Sequence, residues 1–514
     1  MTPPEIQTDL VVIDARSRSR SLVLERGARA ATALETWGVG PGETFALLLR
    51  NDFAILEASV GASLCGAFSV PLNWHNTPEE LEYVVGDSAP KLLVGHADLL
   101  LNAASVLPDV PVFVVPLEGR EAAECPEAAR ALAEIPRSRL WSEAIEDFAP
   151  REGRFQGSLG AIIYTSGTTG RPKGVFKYPM EGELLQRFLD TQGMIFGMTE
   201  GTRALVLGPL YHSSPDGNAR RALADADILV LQSRFDPENV LAAIDQYKIT
   251  DIVLVPTMFV RLLRLPAETR ARYDVSSLRS VTHTGGPCPP EVKRKMIDWW
   301  GPVVNEVYGG TEMGCAFFCR SDEWLAHPGT AGRPLPGLRF EIVGPDGQAL
   351  PPGEVGEVYA RNASYGDFTY VGREDQRREV ARGELLTLGD MGYVDEDGYL
   401  YLTDRKRDMI ISGGVNIYPA EIEAALMSMD RILDCAVFGI PDPDFGEAIV
   451  AAVQLVPGGD ASEKDVQDYA ARRLSRYKVP RVVTFHEQLP REETGKIFKR
   501  KLRDPYWVDR LRAI

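Results

Sequence analysis

Short apolar runs alternate with stretches of helical spacing through about the first 400 residues, the pattern of an α/β chain. AIIYT (161–165), ALVLG (204–208), DILVLQ (227–232) and DIVLVPT (251–257) read as strands. PENVLAAIDQYK (237–248) and PEVKRKMIDWW (290–300) read as helices. Each opens on proline, which suits a first turn whose amides have no intrahelical acceptor. From about Leu338 the pattern changes. FEIVGPDGQAL (340–350) and YVDEDGYLYLT (393–403) each place an Asp-Gly turn between β-rich runs, a hairpin signal. The charged string Asp404-Arg405-Lys406-Arg407-Asp408 follows the second. It reads as a linker into a smaller C-terminal domain, or as a solvated turn. The division expected is residues 1–404 and 405–514.

Composition narrows the classes. With 44% apolar and 25% charged residues in 514, the chain has the makings of a large globular core. A net charge of −17 argues against a general nucleic-acid binder, which needs a basic footprint. The least polar run, near Ala58–Leu72, is too short to span a bilayer and is broken by Gly61, Ser63 and Gly66. The opening MTPPEIQTDL has no basic segment followed by an apolar one, so no signal peptide and a cytoplasmic location are expected. The six cysteines form no CxxC pair, and Cys315 and Cys319 stand alone as CxxxC. Free buried thiols fit this better than a zinc site.

The densest chemistry lies directly after the strand at 161–165. There Tyr164-Thr165-Ser166-Gly167-Thr168-Thr169-Gly170-Arg171-Pro172-Lys173-Gly174 combines glycines, hydroxyls and one lysine. Glycines permit tight turns and close approach of main-chain amides to oxyanions. The hydroxyls add donors and Lys173 adds a point charge, a set suited to a triphosphate. It is not a GxxxxGK[ST] loop, because Pro172 precedes Lys173 and Gly174 follows it.

This loop resembles the signature loop of the adenylate-forming superfamily, which comprises acyl- and aryl-CoA synthetases, nonribosomal peptide synthetase adenylation domains and firefly luciferases. Further matching segments follow in order. Asn305-Glu306-Val307-Tyr308-Gly309-Gly310-Thr311-Glu312 resembles the YGxTE segment, and Thr387-Leu388-Gly389-Asp390 resembles TGD. Asp404–Asp408, continuing into Ile411-Ser412-Gly413-Gly414-Val415-Asn416-Ile417-Tyr418-Pro419, resembles the hinge motif. Pro490-Arg491-Glu492-Glu493-Thr494-Gly495-Lys496-Ile497-Phe498-Lys499 resembles the terminal PxxxxGKxxK. The resemblance spans nearly the whole chain from about residue 40.

The resemblance implies an α/β fold with a large multilayered N-terminal domain and a small mobile α+β C-terminal lid, pivoting near Arg407. It implies ATP, Mg²⁺ and coenzyme A, and a carboxylic acid joined first to AMP and then to the thiol. Thr165, Ser166, Gly167, Thr168, Thr169, Gly170 and Lys173 are expected on the phosphates. Glu312 is expected on the metal, since a carboxylate beside a triphosphate suits Mg²⁺. Gly286 and the run Glu306, Val307, Tyr308, Gly309 and Thr311 are expected at the nucleotide. Tyr308 offers adenine a flat face, or is core. Asp390 is expected at the ribose hydroxyls, and Arg405 at the same sugar or a phosphate. Lys496 is expected to bridge the attacking carboxylate and the α-phosphate, where crowded anions need a cation. Catalytic roles fall to Lys496, His212, Glu312 and Thr165, and the thiol face to Ser412, Gly413 and Gly414.

His212, in the place where amino-acid-activating relatives carry an aspartate, disfavours an α-amino acid. The wall segments 211–218, 256–260, 283–288 and 307–318 are apolar, rich in small residues and without an obvious cation. They point to a hydrophobic monocarboxylic acid. A carrier-protein thiol or an amine stays open as acceptor, and a catalytically silent nucleotide-binding regulator is the rival from another class.

Overall fold

The computed structural model describes residues 8–117, 122–153, 160–165, 171–412, 415–491 and 497–507. The fold is α/β, with layered sheets. One sheet is wholly parallel, in the order Phe68–Pro71, Thr44–Leu48, Leu93–His96, Val112–Val115, Ser138–Leu140. A nine-stranded sheet runs Arg333–Pro334, Gly314–Cys319, Val304–Gly310, Ser280–His283, Asp251–Leu254, Arg203–Val206, Ile228–Leu231, Leu10–Ile13, Arg16–Ser19. Its middle is parallel and its edges antiparallel. The middle strands are apolar throughout, as in Ile228–Leu231 where every residue is buried, because helices cover both faces.

The helices Arg20–Thr36 and Phe53–Cys65 join the two sheets into one core. Phe45, Leu47 and Val94 of the first sheet and Val206, Leu229 and Leu231 of the second share that core with Val23, Leu34, Ile55 and Leu56. Phe53–Cys65 is therefore buried almost all round. The helices touch closely: a Cβ on Gly27 would sit 2.5 Å from Val60 Cβ. The buried Glu57 carboxylate is met by Arg18 and Arg26 (2.7 Å each) and by the Trp141 indole (3.0 Å).

Three smaller sheets complete the described chain. Ile163–Thr165, Lys173–Lys177 and Phe368–Tyr370 form an antiparallel sheet, and the glycine-rich segment lies in sequence between its first two strands. Leu338–Val343, Gly356–Asn362, Leu385–Val394, Ala381–Arg382 and Leu400–Arg405 form another. From Ile410 onward a separate sheet, with helices Pro419–Met427 and Glu463–Ala471, packs around its own core of Ile410, Ile422, Leu426, Val437, Ile449 and Val466. The charged string is thus the end of a strand plus a turn: Arg405 pairs in register with Asp390, and the chain turns at 406–408.

The helices at Pro237–Tyr247 and Pro290–Trp300 fall where the spacing predicts them. Two strand readings need correction. The strand at 251 ends at Leu254, because Pro256 opens a helix, Pro256–Leu263. The turn at Asp346-Gly347 does not return directly into a strand: the partner of Leu338–Val343 begins only at Gly356. Cys65, Cys125, Cys319 and Cys435 are buried, Cys288 and Cys315 half-buried, and all six are free thiols. Among the described residues no helix is long and apolar enough to cross a membrane.

Candidate active site

The carboxyl ends of the parallel strands in the nine-stranded sheet open into one cleft of about 3670 Å³. Leu207–Pro209, Val255–Met258, Thr284–Cys288 and Gly309–Glu312 line it, each just past a strand end. Open α/β sheets place ligands there. The volume is several times the ~300–1,000 Å³ of an ordinary small-molecule pocket, enough for more than one substrate.

Glu312 is the hub. It is half-buried in the hairpin between Val304–Gly310 and Gly314–Cys319. The hairpin crosses so tightly that a Cβ on Gly309 would lie 2.1 Å from the Gly314 carbonyl oxygen. Glu312 Oε1 accepts from the Thr165 hydroxyl (3.3 Å) and from the Tyr370 hydroxyl (3.2 Å). Its main-chain carbonyl accepts from the Lys177 ammonium. Thr165 ends the strand that leads into the glycine-rich loop, so the carboxylate faces the start of that loop. Lys173 is buried, with Nζ 5.0 Å from the centre of the Tyr370 ring. Ser166, Gly167, Thr168, Thr169 and Gly170 lie outside the described residues.

His212 caps the helix Ser213–Asp225 and lines the cleft half-buried, its ring 4.5 Å from that of Tyr211. Ser213 and Thr311 hydroxyls meet at 2.9 Å, tying this helix start to the Glu312 hairpin. Gly285 has φ +82°, a conformation that favours glycine, and Gly286 leaves open space where a Cβ would stand. Both line the cleft.

The strand ahead of Glu312 behaves differently from the expectation. The Glu306, Val307 and Tyr308 side chains do not line the cleft. Glu306 pairs with Lys293, fully buried on the helix Pro290–Trp300, at 2.6 Å and stands 3.3 Å from His283. Burial works against its charge, but His283 and Lys293 outweigh that and hold the carboxyl well below its usual range. Val307 sits in the main core. Tyr308 is buried beside Phe317 and donates to Asp390 at 2.9 Å. What these three present to a ligand is main chain, and the core alternative for the Tyr308 ring holds in this arrangement. Asp390 also pairs with Arg405 Nε at 3.2 Å, so one oxygen is taken by each partner and only the remaining lone pairs are open to a sugar. Arg405 lines the cleft.

Arg407 lines the cleft at the turn, whereas Ser412, ending the strand Ile410–Ser412, does not. Gly413, Gly414 and Lys496 lie outside the described residues. The wall segments contain no lysine, as read, but a cation reaches the cleft from elsewhere: Lys177, on the strand Lys173–Lys177. The helix Gly182–Phe196 was missed as a wall. Its Leu185, Phe188, Leu189 and Gln192, at helical spacing, all face the cleft. Tyr365 and Tyr370 were missed too, because only the sheet pairing of Phe368–Tyr370 with Lys173–Lys177 brings them there.

The chain matches the AMP-binding enzyme family over residues 7–366 and the AMP-binding enzyme C-terminal domain over residues 421–496. It belongs to that family of enzymes. It is 34% identical over 482 residues to a feruloyl-CoA synthase of an Amycolatopsis species, covering 93% of this chain and 92% of the relative. Among solved structures it resembles the o-succinylbenzoate CoA synthetase MenE from Bacillus subtilis in complex with the acyl-adenylate intermediate OSB-AMP (27% identity, TM-score 0.77, 96% and 95% of the two chains). It also resembles the amide bond synthetase McbA from Marinactinospora thermotolerans (28% identity, TM-score 0.79, 98% of each chain).

Proposed function

We propose that the protein is an ATP-dependent acid–thiol ligase that forms an acyl-adenylate from a hydrophobic monocarboxylic acid and passes the acyl group to coenzyme A. The observation that carries this reading is Glu312, held by Thr165 at the start of a glycine- and hydroxyl-rich loop, in a cleft with room for several substrates. The similarity to a feruloyl-CoA synthase supports the thiol acceptor. The similarity to an amide bond synthetase keeps an amine as an alternative acceptor, beside the carrier-protein thiol that the sequence leaves open. The apolar helix face Leu185, Phe188 and Leu189 supports a hydrophobic acid. The expected place of action remains the cytoplasm.

In this reading the loop 165–173 holds the triphosphate. Among the described residues no cluster of three metal-ligating side chains is present. One carboxylate with phosphate oxygens is nonetheless a normal Mg²⁺ environment, so Glu312 fits. Mg²⁺ bound there would neutralise charge on the departing pyrophosphate. The protein's part is positional. Lys496 neutralises the reacting anions, and Asp390 with Arg405 orients the nucleotide. The lid, residues 405–514, then turns about Arg407 and brings Ser412, Gly413 and Gly414 to the thiol. Retaining one cleft for both steps keeps the mixed anhydride from water.

Acid-dependent pyrophosphate release tests the reading. The wild type should release pyrophosphate with at least one hydrophobic acid and only in the presence of ATP and Mg²⁺. Glu312→Gln keeps the shape and removes the charge. It should lower turnover by at least about 10-fold and raise the Mg²⁺ concentration needed for half-maximal rate. An unchanged Mg²⁺ dependence would take Glu312 out of the metal site.

A further inference from the structure

We propose that Lys177, Gln192 and Tyr365 form a polar end to the acyl cavity that recognises an acidic oxygen on the substrate, a phenolic hydroxyl or a second carboxylate, apart from the carboxylate that is activated. The inference rests on the ligase reading above and narrows its acid to one with a further acidic oxygen; a second carboxylate would replace the monocarboxylic part of that reading.

The three residues come from three elements and converge around Cys315. Gln192 stands on the cleft-facing stripe of the helix Gly182–Phe196 and donates from Nε2 to the Tyr365 hydroxyl at 2.7 Å. The Tyr365 ring meets Phe188 edge-on at 5.4 Å and lies against the main chain of Gly314, where a Cβ would come within 2.3 Å of it. Gly314, with φ +75°, is the glycine that makes room for this tyrosine. The Lys177 ammonium donates to the Glu312 main-chain carbonyl, two residues before Gly314, so the hairpin that carries Cys315 touches both Lys177 and Tyr365. All four side chains line the cleft. The rest of this wall, Leu185, Phe188, Leu189 and Met180, is apolar. A hydrophobic cavity with a few converging polar groups is how small-molecule sites fix orientation.

Lys177 is the unusual member. Its ammonium is held by the Glu312 main-chain carbonyl and lies 5.4 Å from the Phe368 ring centre, and it forms no ion pair among the described residues. The charged and titratable groups facing it are Glu312, Arg361, Asp367 and Cys315. Asp367 is already engaged by Arg361 and Arg377, and Glu312 turns its carboxylate to Thr165 and Tyr370. A half-buried cation without an ion-pair partner is stabilised by a ligand that brings an anion.

The test uses matched aromatic acids differing in one group: unsubstituted, with a para-hydroxyl, and with a second carboxylate. Pyrophosphate release gives kcat/KM for each on the wild type, Lys177→Met, Lys177→Arg and Gln192→Leu. The wild type should favour at least one substituted acid by about 10-fold or more, the scale of a hydrogen bond to a charged group. Which of the two is favoured tells hydroxyl from carboxylate. Lys177→Met should lower kcat/KM for the favoured acid at least about 10-fold more than for the unsubstituted acid, erasing the preference, and Lys177→Arg should restore part of it. Gln192→Leu lies outside the sheet and should weaken the same preference even if the Lys177 variants fail to fold. No preference in the wild type, or a loss in Lys177→Met that is equal for all three acids, overturns the proposal and leaves adenylation standing. If no acid releases pyrophosphate, the ligase reading fails and this inference with it.

Discussion

Lys496→Ala should lower adenylate formation by about 10²–10³-fold and leave thioester formation from supplied acyl-AMP near its wild-type rate. The asymmetry follows from the charges. In the first step a carboxylate attacks a phosphoanhydride, so negative charge crowds into the transition state and a cation placed there acts on the rate. In the second step a thiol attacks a neutral carbonyl and AMP leaves. Lys496 follows Gly495 within the terminal motif, in the segment proposed to turn away between steps. The measurement sets single-turnover acyl-AMP formation beside coenzyme A-dependent AMP release from preformed acyl-AMP. Equal losses in both would deny Lys496 a step-specific role.

Arg407→Pro should separate the same steps by freezing the lid. Arg407 lies in the turn between the strand Leu400–Arg405 and the strand Ile410–Ser412. Its neighbours are pinned: the Lys406 amide donates to Gly389 O at 2.8 Å, and the Asp408 and Met409 amides donate to Arg405 O at 2.9 and 3.1 Å. A lid that pivots here would concentrate its change on the backbone at 407. Proline fixes φ near −65° and restricts the residue before it. One half-reaction should persist in the trapped position and the other collapse, by at least about 10²-fold if near-attack geometry is lost. Both steps at wild-type rates would place the pivot elsewhere and remove the mechanistic reason for a boundary at residue 404.

The larger elements were legible because each signal was local. Proline at the first turn marked the helices at 237 and 290, and continuous apolar runs marked the inner strands. The strand at 251 was read too long because Val255 continues its apolar run and only Pro256 ends it. The glycine-rich loop could be read from its own residues, since its glycines, hydroxyls and lysine are consecutive, whereas the place of Glu312 was what the resemblance implied. Side-chain direction along Val304–Gly310 could not. Glu306 faces Lys293 on a helix that precedes it in the chain, and nothing in NEVYGG announces that partner. Lys177 was hidden for a related reason. In KGVFKYP it reads as a solvated strand end, and only the pairing with Phe368–Tyr370 and the approach of the Glu312 hairpin enclose it. Asp390 and Arg405 stood fifteen residues apart in separate motifs, and the hairpin register joins them.

The central claim is that a carboxylate oxygen attacks the α-phosphorus of ATP. An accepted acid labelled with ¹⁸O in its carboxylate tests this directly, with the protein turned over in the presence of ATP, Mg²⁺ and coenzyme A and the phosphorus products read by mass. The account predicts one ¹⁸O in the phosphate of AMP, none in pyrophosphate, and an acyl thioester keeping the other labelled oxygen. Label in inorganic phosphate with ADP as co-product, or AMP free of label, would contradict it.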